Sequence, residues 1–341
     1  MNNNKGVVLI VVLWVLVILS LIAWGLGRRS SLEVSLLETY QGKLRSYAAA
    51  RAGINDMLDM LQRTPSTQDS LYAAGIAIDP AKTPEDIFSH IDTGQNTYAI
   101  SQWLARNYNF SDNNPHLEYG LRDEEGKINI NAVSIANYQV LSSLLQLYGL
   151  SQSDGDKLAL AIVNYTGTNA AVSNNNSFMN LNDSLLKPKN KPYENLLELL
   201  EVDGMTREIF DKIKDDVTVY GDAQNGLRIN TDTANNDVIQ AVANYAQRQF
   251  QSNPSDIETQ AYSSRDVAGQ SFTPVSGTGT VNTTDPNWMN VANILQVGIA
   301  SNYYRARVVG VDGTNGTRTV IEAVIHQVQG APGKIISWQR D

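Results

Sequence analysis

Residue types that can do chemistry are few in this chain, and their spacing suits little of it. The histidines, His90, His116 and His326, stand at no metal-ligand spacing, and there is no cysteine. That excludes thiol nucleophiles, disulfides and Cys-ligated zinc or iron–sulfur centres. No Gly-x-Ser-x-Gly elbow, phosphate loop or dinucleotide fingerprint occurs, and the Gly277/Gly279 pair lacks a third glycine. Carboxylates remain, because acid–base pairs leave little trace in a sequence. Asp123, Glu124 and Glu125, followed by Gly126, place three oxygen donors at one turn, a weak candidate site for calcium. A hard cation wants roughly six to eight oxygens from spaced carboxylates. Solvated acids on a turn are therefore the plainer reading. No catalytic residue is assigned, and no cofactor is expected beyond that calcium candidate.

The other acidic group is Asp211, Asp215 and Asp216, near a predicted helix end. Just before it, residues 202–206 (VDGMT) lie between two helical patterns and resemble a helix-hairpin-helix turn. Such turns bind nucleic-acid phosphates when Lys or Arg stands beside them. Here Asp203 and the three later aspartates would repel a phosphate, so the hairpin reads as scaffold. The net charge of −9 points the same way, away from nucleic acid and anionic lipid surfaces.

These residues must be positioned by elements, and the first is an apolar run. Residues 7–27, VVLIVVLWVLVILSLIAWGLG, carry no charge and are closed by Arg28 and Arg29. About 20 apolar residues cross a bilayer, whereas a cleavable secretory signal has an apolar stretch of roughly 7–15. Charge does not set orientation, because Lys5 lies on one side and Arg28, Arg29, Lys43 and Arg45 on the other. The helical pattern continues to Arg63 through Leu32, Leu36, Tyr40, Leu44, Tyr47, Ile54, Leu58 and Leu61, with Gly42 and Gly53 weakening it slightly, and Thr64-Pro65 ends it. A helix of some 55 residues reaches about 80 Å, its first half in lipid and its second against a soluble head.

Beyond it, residues 64–95 read as loops with short helices, and 95–108 as helical or mixed. Residues 117–131 read as strand, turn, strand. Helices follow over 134–148 and from Ser151 onward, and residues 166–190 form an Asn-rich loop. A second helical block covers 193–213. Residues 226–230 (GLRIN) echo 126–131 (GKININ), each a short strand ending in Asn ahead of a helix. Residues 252–287 read as a Ser/Thr/Gly/Pro-rich linker or surface loop. The last 40 residues alternate apolar and polar as an antiparallel meander of three strands with one face on a helix. A chain of 341 residues suggests two or three domains.

The ordered set of segments resembles a known family. The head Lys5-Gly6-Val7 and the apolar run after it are similar to the start of general secretion pathway protein K, a minor pseudopilin of the type II secretion system. So are RDEEGKININ (122–131), LALAIVNY (158–165), KPYENLLELLEVDGMT (191–206), LRINTDTA (227–234), SNYYRARVVG (301–310) and IISWQRD (335–341). The resemblance covers nearly the whole chain and implies an α+β pseudopilin fold, a long N-terminal helix on an antiparallel sheet with a large inserted α-helical domain. It implies a leader at 1–6, a transmembrane part at 7–27 and a periplasmic helix at 28–63. The α/β domain would comprise 64–122 and 252–341, and the insert 123–251.

The resemblance further implies cleavage by a prepilin peptidase between Gly6 and Val7, N-methylation of Val7, and a single-pass inner-membrane protein with its amino terminus cytoplasmic and its body periplasmic. The fifth mature position, where most pilins carry Glu, is Val11. A tip subunit has no neighbour above it whose amine that Glu would neutralise, so Val11 agrees with a tip role. Expected partners are other minor pseudopilins in a hetero-oligomeric tip complex, the inner-membrane assembly platform, the peptidase, and the outer-membrane secretin or a secreted substrate. The family's acidic calcium stretch is replaced here by NYTGTN at 164–169, so calcium is not carried over to that place. The alternative is a membrane-anchored periplasmic binding module of the DNA-uptake type that uses the hairpin-like segment.

Overall fold

The computed structural model describes residues 4–63, 88–89, 91–94, 96–103, 117–166, 189–265, 281–297, 301–328 and 331–340. His90, His116, Gly277, Gly279, residues 167–169 and most of the loops read at 64–95 and 166–190 lie outside these.

One helix, α1, runs unbroken over Asn4–Arg63. Within it Val8–Leu26 is long and apolar enough to cross a membrane, and no part of the described chain covers it. The remaining length is amphipathic but not packed throughout. Val34, Leu36, Leu37, Tyr40 and Leu44 are exposed, and the buried stripe is Ala49, Ala50, Ile54, Met57 and Leu61. The helix therefore rests on the body only from about Glu38 onward, a shorter contact than the periodicity suggests.

The helix rests on an antiparallel sheet. Its strands are β1 (Ile91–Asp92), β2 (Asn96–Trp103), β9 (Tyr303–Asp312), β10 (Arg318–His326) and β11 (Lys334–Arg340) in that spatial order. β3 (Leu117–Tyr119) pairs with β2, and β4 (Arg122–Asp123) with β9. The three C-terminal strands form the expected meander, with Ile321 opposite Val308 and Ala323 opposite Ala306. Strict alternation along β9 turns Tyr304, Ala306 and Val308 toward α1, where they join Ile54, Met57, Tyr98, Ile100, Ile321, Ala323 and Ile325 in one core. Residues 96–103, read as helical or mixed, are a strand instead. β2 lies against β9 with Tyr98 opposite Gly310, so ladder pairing decides a segment whose local propensity was indecisive.

Close approach of α1 needs glycine. A Cβ on Gly310 would sit 2.0 Å from the Ser46 carbonyl oxygen and 2.5 Å from the Ala50 nitrogen, and one on Gly53 would meet Val308 and Tyr98 at 2.6 and 2.7 Å. Gly42 and Gly53 thus serve packing rather than merely weakening the helix. The β9–β10 turn also grips α1 through Asn315 Nδ2 on the Glu38 carbonyl (3.3 Å) and Arg45 on Thr314 (3.2 Å).

Between β4 and β9 the chain builds a second, helical core. Its elements are α2 (Tyr138–Leu147), α3 (Gln152–Tyr165), a 3-10 turn (Leu196–Glu201), α4 (Arg207–Ile213), α5 (Asn236–Phe250), α6 (Pro254–Arg265) and α7 (Pro286–Met289). Side-chain caps start several of them. Ser151 accepts from the Asp154 nitrogen at the head of α3, Thr206 caps α4, and Asn195 with Glu198 forms a capping box. The echoed segments become equivalent strands. β5 (Ile128–Asn129) pairs in parallel with β6 (Val217–Thr218), and β7 (Ile229–Asn230) with β8 (Leu295–Gln296). In both, the Asn side chain accepts from the nitrogen two residues on, turning the chain toward the next helix.

The linker read at 252–287 holds α6 and the start of α7. Ile257, Ala261, Trp288, Val291, Ile294 and Leu295 pack in the same core as Leu141, Leu144, Ile162 and Val242. The polar, Ser-rich surface of α6 hid the buried Ile257 and Ala261 from a pattern search.

Candidate functional site

The carboxylates singled out at one turn are not solvated. Asp123 ends β4, Glu124 and Glu125 form the turn, and Lys127 precedes β5, so the stretch is the passage from the sheet into the helical core. Asp123, Glu124 and Lys127 are buried, Glu124 at 0 % exposure. Each acid is engaged by protein donors. Asp123 Oδ2 accepts from Ser301 Oγ (2.5 Å), Thr233 Oγ1 (2.6 Å) and Asn230 Nδ2 (3.1 Å), while Oδ1 accepts from the Glu125 nitrogen (2.8 Å). Glu124 takes Arg305 Nε (2.7 Å) and Lys127 Nζ (2.5 Å) on one oxygen, and Thr218 Oγ1 (2.5 Å) and Arg305 Nη2 (3.3 Å) on the other. Arg305 also reaches Glu322 at 2.6 Å. Glu125 Oε2 accepts from the Asn302 nitrogen at 2.9 Å.

Burial of Asp123 and Glu124 corrects the solvated reading of the turn. The oxygens a cation would need are spent on hydroxyls, amides and two basic groups, and among the described residues no three acidic or histidine side chains form a metal-holding group. Burial works against every charge here. It pushes the Asp123 carboxyl up to about 6, only partly offset by its four donors. It pushes Glu125 to about 7, with the Asp123 charge adding to the shift. Glu124 is equally buried, yet Arg305 and Lys127 hold it well below the usual carboxylate range. Desolvation lowers the Lys127 ammonium to about 8 against the pull of Glu124.

The second acidic group lines a cleft of about 370 Å³ with Tyr148, Glu208, Lys212 and Asn235. Asp211 is paired to Arg207 (3.0 Å) and Lys214 (3.3 Å), and Asp215 to Arg122 (3.5 Å). Burial raises the Asp216 carboxyl against the hydrogen bonds it accepts from the Tyr148 hydroxyl and Asn235. The hairpin-like turn at Gly204 (φ +84°) joins a 3-10 turn to a seven-residue helix. Asp203 and Asp211 are exposed there, and Arg207 and Lys214 are paired to Asp211, so a phosphate would meet acids rather than a cationic cradle.

At the other end, Gly6 and Val7 lie in the first turns of α1, and Val11 is exposed, as is every large apolar side chain from Val8 to Leu26 outside position 20, 23 and 25. His326 stacks on Tyr303 with ring centroids 4.4 Å apart, a packing role with no ligand partner nearby among the described residues. Reading the sequence missed Lys127, Thr218, Asn230, Thr233, Ser301 and Arg305. The available signal was Lys127 beside three acids and directly before an Ile-Asn-Ile run, a charge placed where a buried strand begins.

The helical core is also where comparison with known proteins succeeds. Residues 126–222 match the family model described as Type II secretion system (T2SS), protein K. The fold as a whole is similar to a chain in the crystal structure of the GspK-GspI-GspJ complex from the enterotoxigenic Escherichia coli type 2 secretion system. The TM-score is 0.55 at 13 % identity, over 90 % of this chain and 98 % of that one. No curated protein matches by sequence.

Proposed function

We propose that this chain, which contains a type II secretion protein K domain, is a minor pseudopilin that caps a periplasmic pseudopilus and nucleates its assembly for export across the outer membrane. The observation that carries the reading is a protein K domain threaded between two strands of a pseudopilin sheet, above a helix whose first turns are apolar. An insert of this bulk fits the end of a filament and would clash in its interior. The work is assembly rather than catalysis.

The partners we propose are other minor pseudopilins, as in the solved complex of GspK with GspI and GspJ, together with the assembly platform and the prepilin peptidase. The exposed stripe of Val34, Leu36, Leu37, Tyr40 and Leu44 leaves α1 a free apolar face above the membrane segment, suited to neighbouring helices of the same kind. Gly6 is the residue before the cut, Val7 the methylated new amino terminus, and Val11 the position lacking the usual Glu. The body is periplasmic and the head cytoplasmic. We place the insert at 123–297 rather than ending it at 251, because α6, α7 and β8 belong to its core.

Two experiments test the reading. Mass analysis of the amino terminus, after expression with and without a prepilin peptidase, should give a peptidase-dependent chain starting at Val7 and heavier by one methyl group. An intact Met1 chain in both samples removes the pilin pathway. Co-expression with the minor pseudopilins of the same machine should yield a stable hetero-complex, and a chain that purifies alone under those conditions removes the tip role.

A further inference from the structure

An insert joined to its host by two strands of chain would ordinarily swing, since two flexible crossings make a hinge. Here the outgoing residues 123–127 and the returning residues 301–302 are bonded to each other. The Glu124 nitrogen donates to the Tyr303 carbonyl (2.9 Å), the Asn302 nitrogen to Glu125 Oε2 (2.9 Å) and Ser301 Oγ to Asp123 Oδ2 (2.5 Å). From this stapled pair, ties run both ways. Toward the sheet, Glu124 holds Arg305 of β9, which holds Glu322 of β10. Toward the helical core, Thr218 of β6 donates to Glu124, and Thr233 and Asn230 donate to Asp123. The Asn230 nitrogen also bonds the Glu125 carbonyl at 2.8 Å.

No slack separates the surfaces. A Cβ on Gly126 would lie 2.8 Å from the backbone of Thr233, so the outgoing chain is pressed against the approach to α5. Arg122 closes the flank by donating to the Asp215 carbonyl beside α4. Charges this deeply buried stay favourable only while every partner is in place. Any swing of the helical core would strand Glu124 and Asp123 without the hydroxyls that serve them, which penalises intermediate angles rather than permitting a continuum.

We infer that the Asp123–Lys127 passage with Ser301, Asn302 and Arg305 is a rigid joint that fixes the helical core at one angle to the sheet and α1, so that the two cores present one continuous, preset surface to a partner. This inference stands apart from the proposed function, because it concerns the angle and not what the surface meets.

The absence of cysteine makes the test direct. Spin labels are attached to Asn55→Cys, exposed on α1, and Lys157→Cys, exposed on α3, in the full chain in detergent. Their distance distribution is measured by pulsed electron resonance. The joint predicts one narrow peak, broadened at least twofold by Thr218→Val combined with Thr233→Val and Ser301→Ala, which cut hydroxyl ties and leave the Glu124–Arg305 pair. A broad distribution in the parent overturns the inference whatever the variants do. So does a triple variant as narrow as the parent while circular dichroism shows both folded. Should the triple variant unfold, Ser301→Ala alone carries the same comparison.

Discussion

Glu124 shows how burial and pairing compete at one side chain. Taken out of water alone it would be expelled or protonated, but Arg305 and Lys127 keep it ionised. Arg305→Ala leaves that charge buried with a single cationic partner, and urea unfolding should register a loss of about 3–5 kcal/mol. Glu125 lacks such a partner, and the two neighbours give stability an unusual pH profile. Glu125 and Asp123 bind their protons more tightly folded than unfolded, so their shifts cost stability as pH rises from about 4 through 7. Glu124 has the opposite sign. Its contribution is complete above its unfolded value and is lost as pH falls below about 4.5. Melting temperature should therefore peak in mildly acid solution and decline up to about pH 7. Glu125→Gln should flatten that decline and leave the acid-side fall in place. An unchanged slope in the variant would assign the decline to other groups.

The same competition, between a local preference and a tertiary contact, runs through the elements. Glycines in a helix cost roughly 0.5–1 kcal/mol each by propensity, yet the Gly53 and Gly310 pair is what allows α1 to lie on β9. Gly310→Ala puts a methyl group into the backbone of Ser46 and Ala50, and thermal unfolding should show about 1–3 kcal/mol of destabilisation by overpacking. Hydrogen exchange should quicken first in α1 and β9, because the helical core has no contact at that position. Within that core Asn195 initiates the 3-10 turn with a complete capping box, and Asn195→Ala should cost about 1 kcal/mol. Strands β5 to β8 are two residues each. Ladders so short hold only because Ile128, Val217, Ile229 and Leu295 are buried under helices.

For the molecule as a whole, charge distribution and anchoring decide what it can meet. The whole chain carries a net charge of −9 and its aspartates of 211–216 are either paired or buried, so the chain should leave a labelled DNA duplex unbound in anisotropy titrations even at low salt. Salt-sensitive saturable binding would instead favour an anchored nucleic-acid module. The long helix divides into an apolar segment long enough to cross a membrane, an exposed apolar stretch and a packed end.

Much of this was legible in the residues alone, wherever the signal is local and periodic. The uncharged run at 7–27, the alternation of β9 and β10, the helix start at Ser151, and the Ile-Asn echo of 128–129 and 229–230 are each written within a few adjacent residues. Their physics is local too, since helix and strand periods and side-chain caps act over single turns. Tertiary structure alone decided that 96–103 is a strand, that α6 belongs to the helical core, and that Asp123 and Glu124 are interior. Each depends on a partner far along the chain: β9 for the strand, Leu141 and its neighbours for α6, and Arg305 for Glu124, 181 residues away. A sequence states which charges exist, but the burial that sets their meaning is created only when distant segments meet.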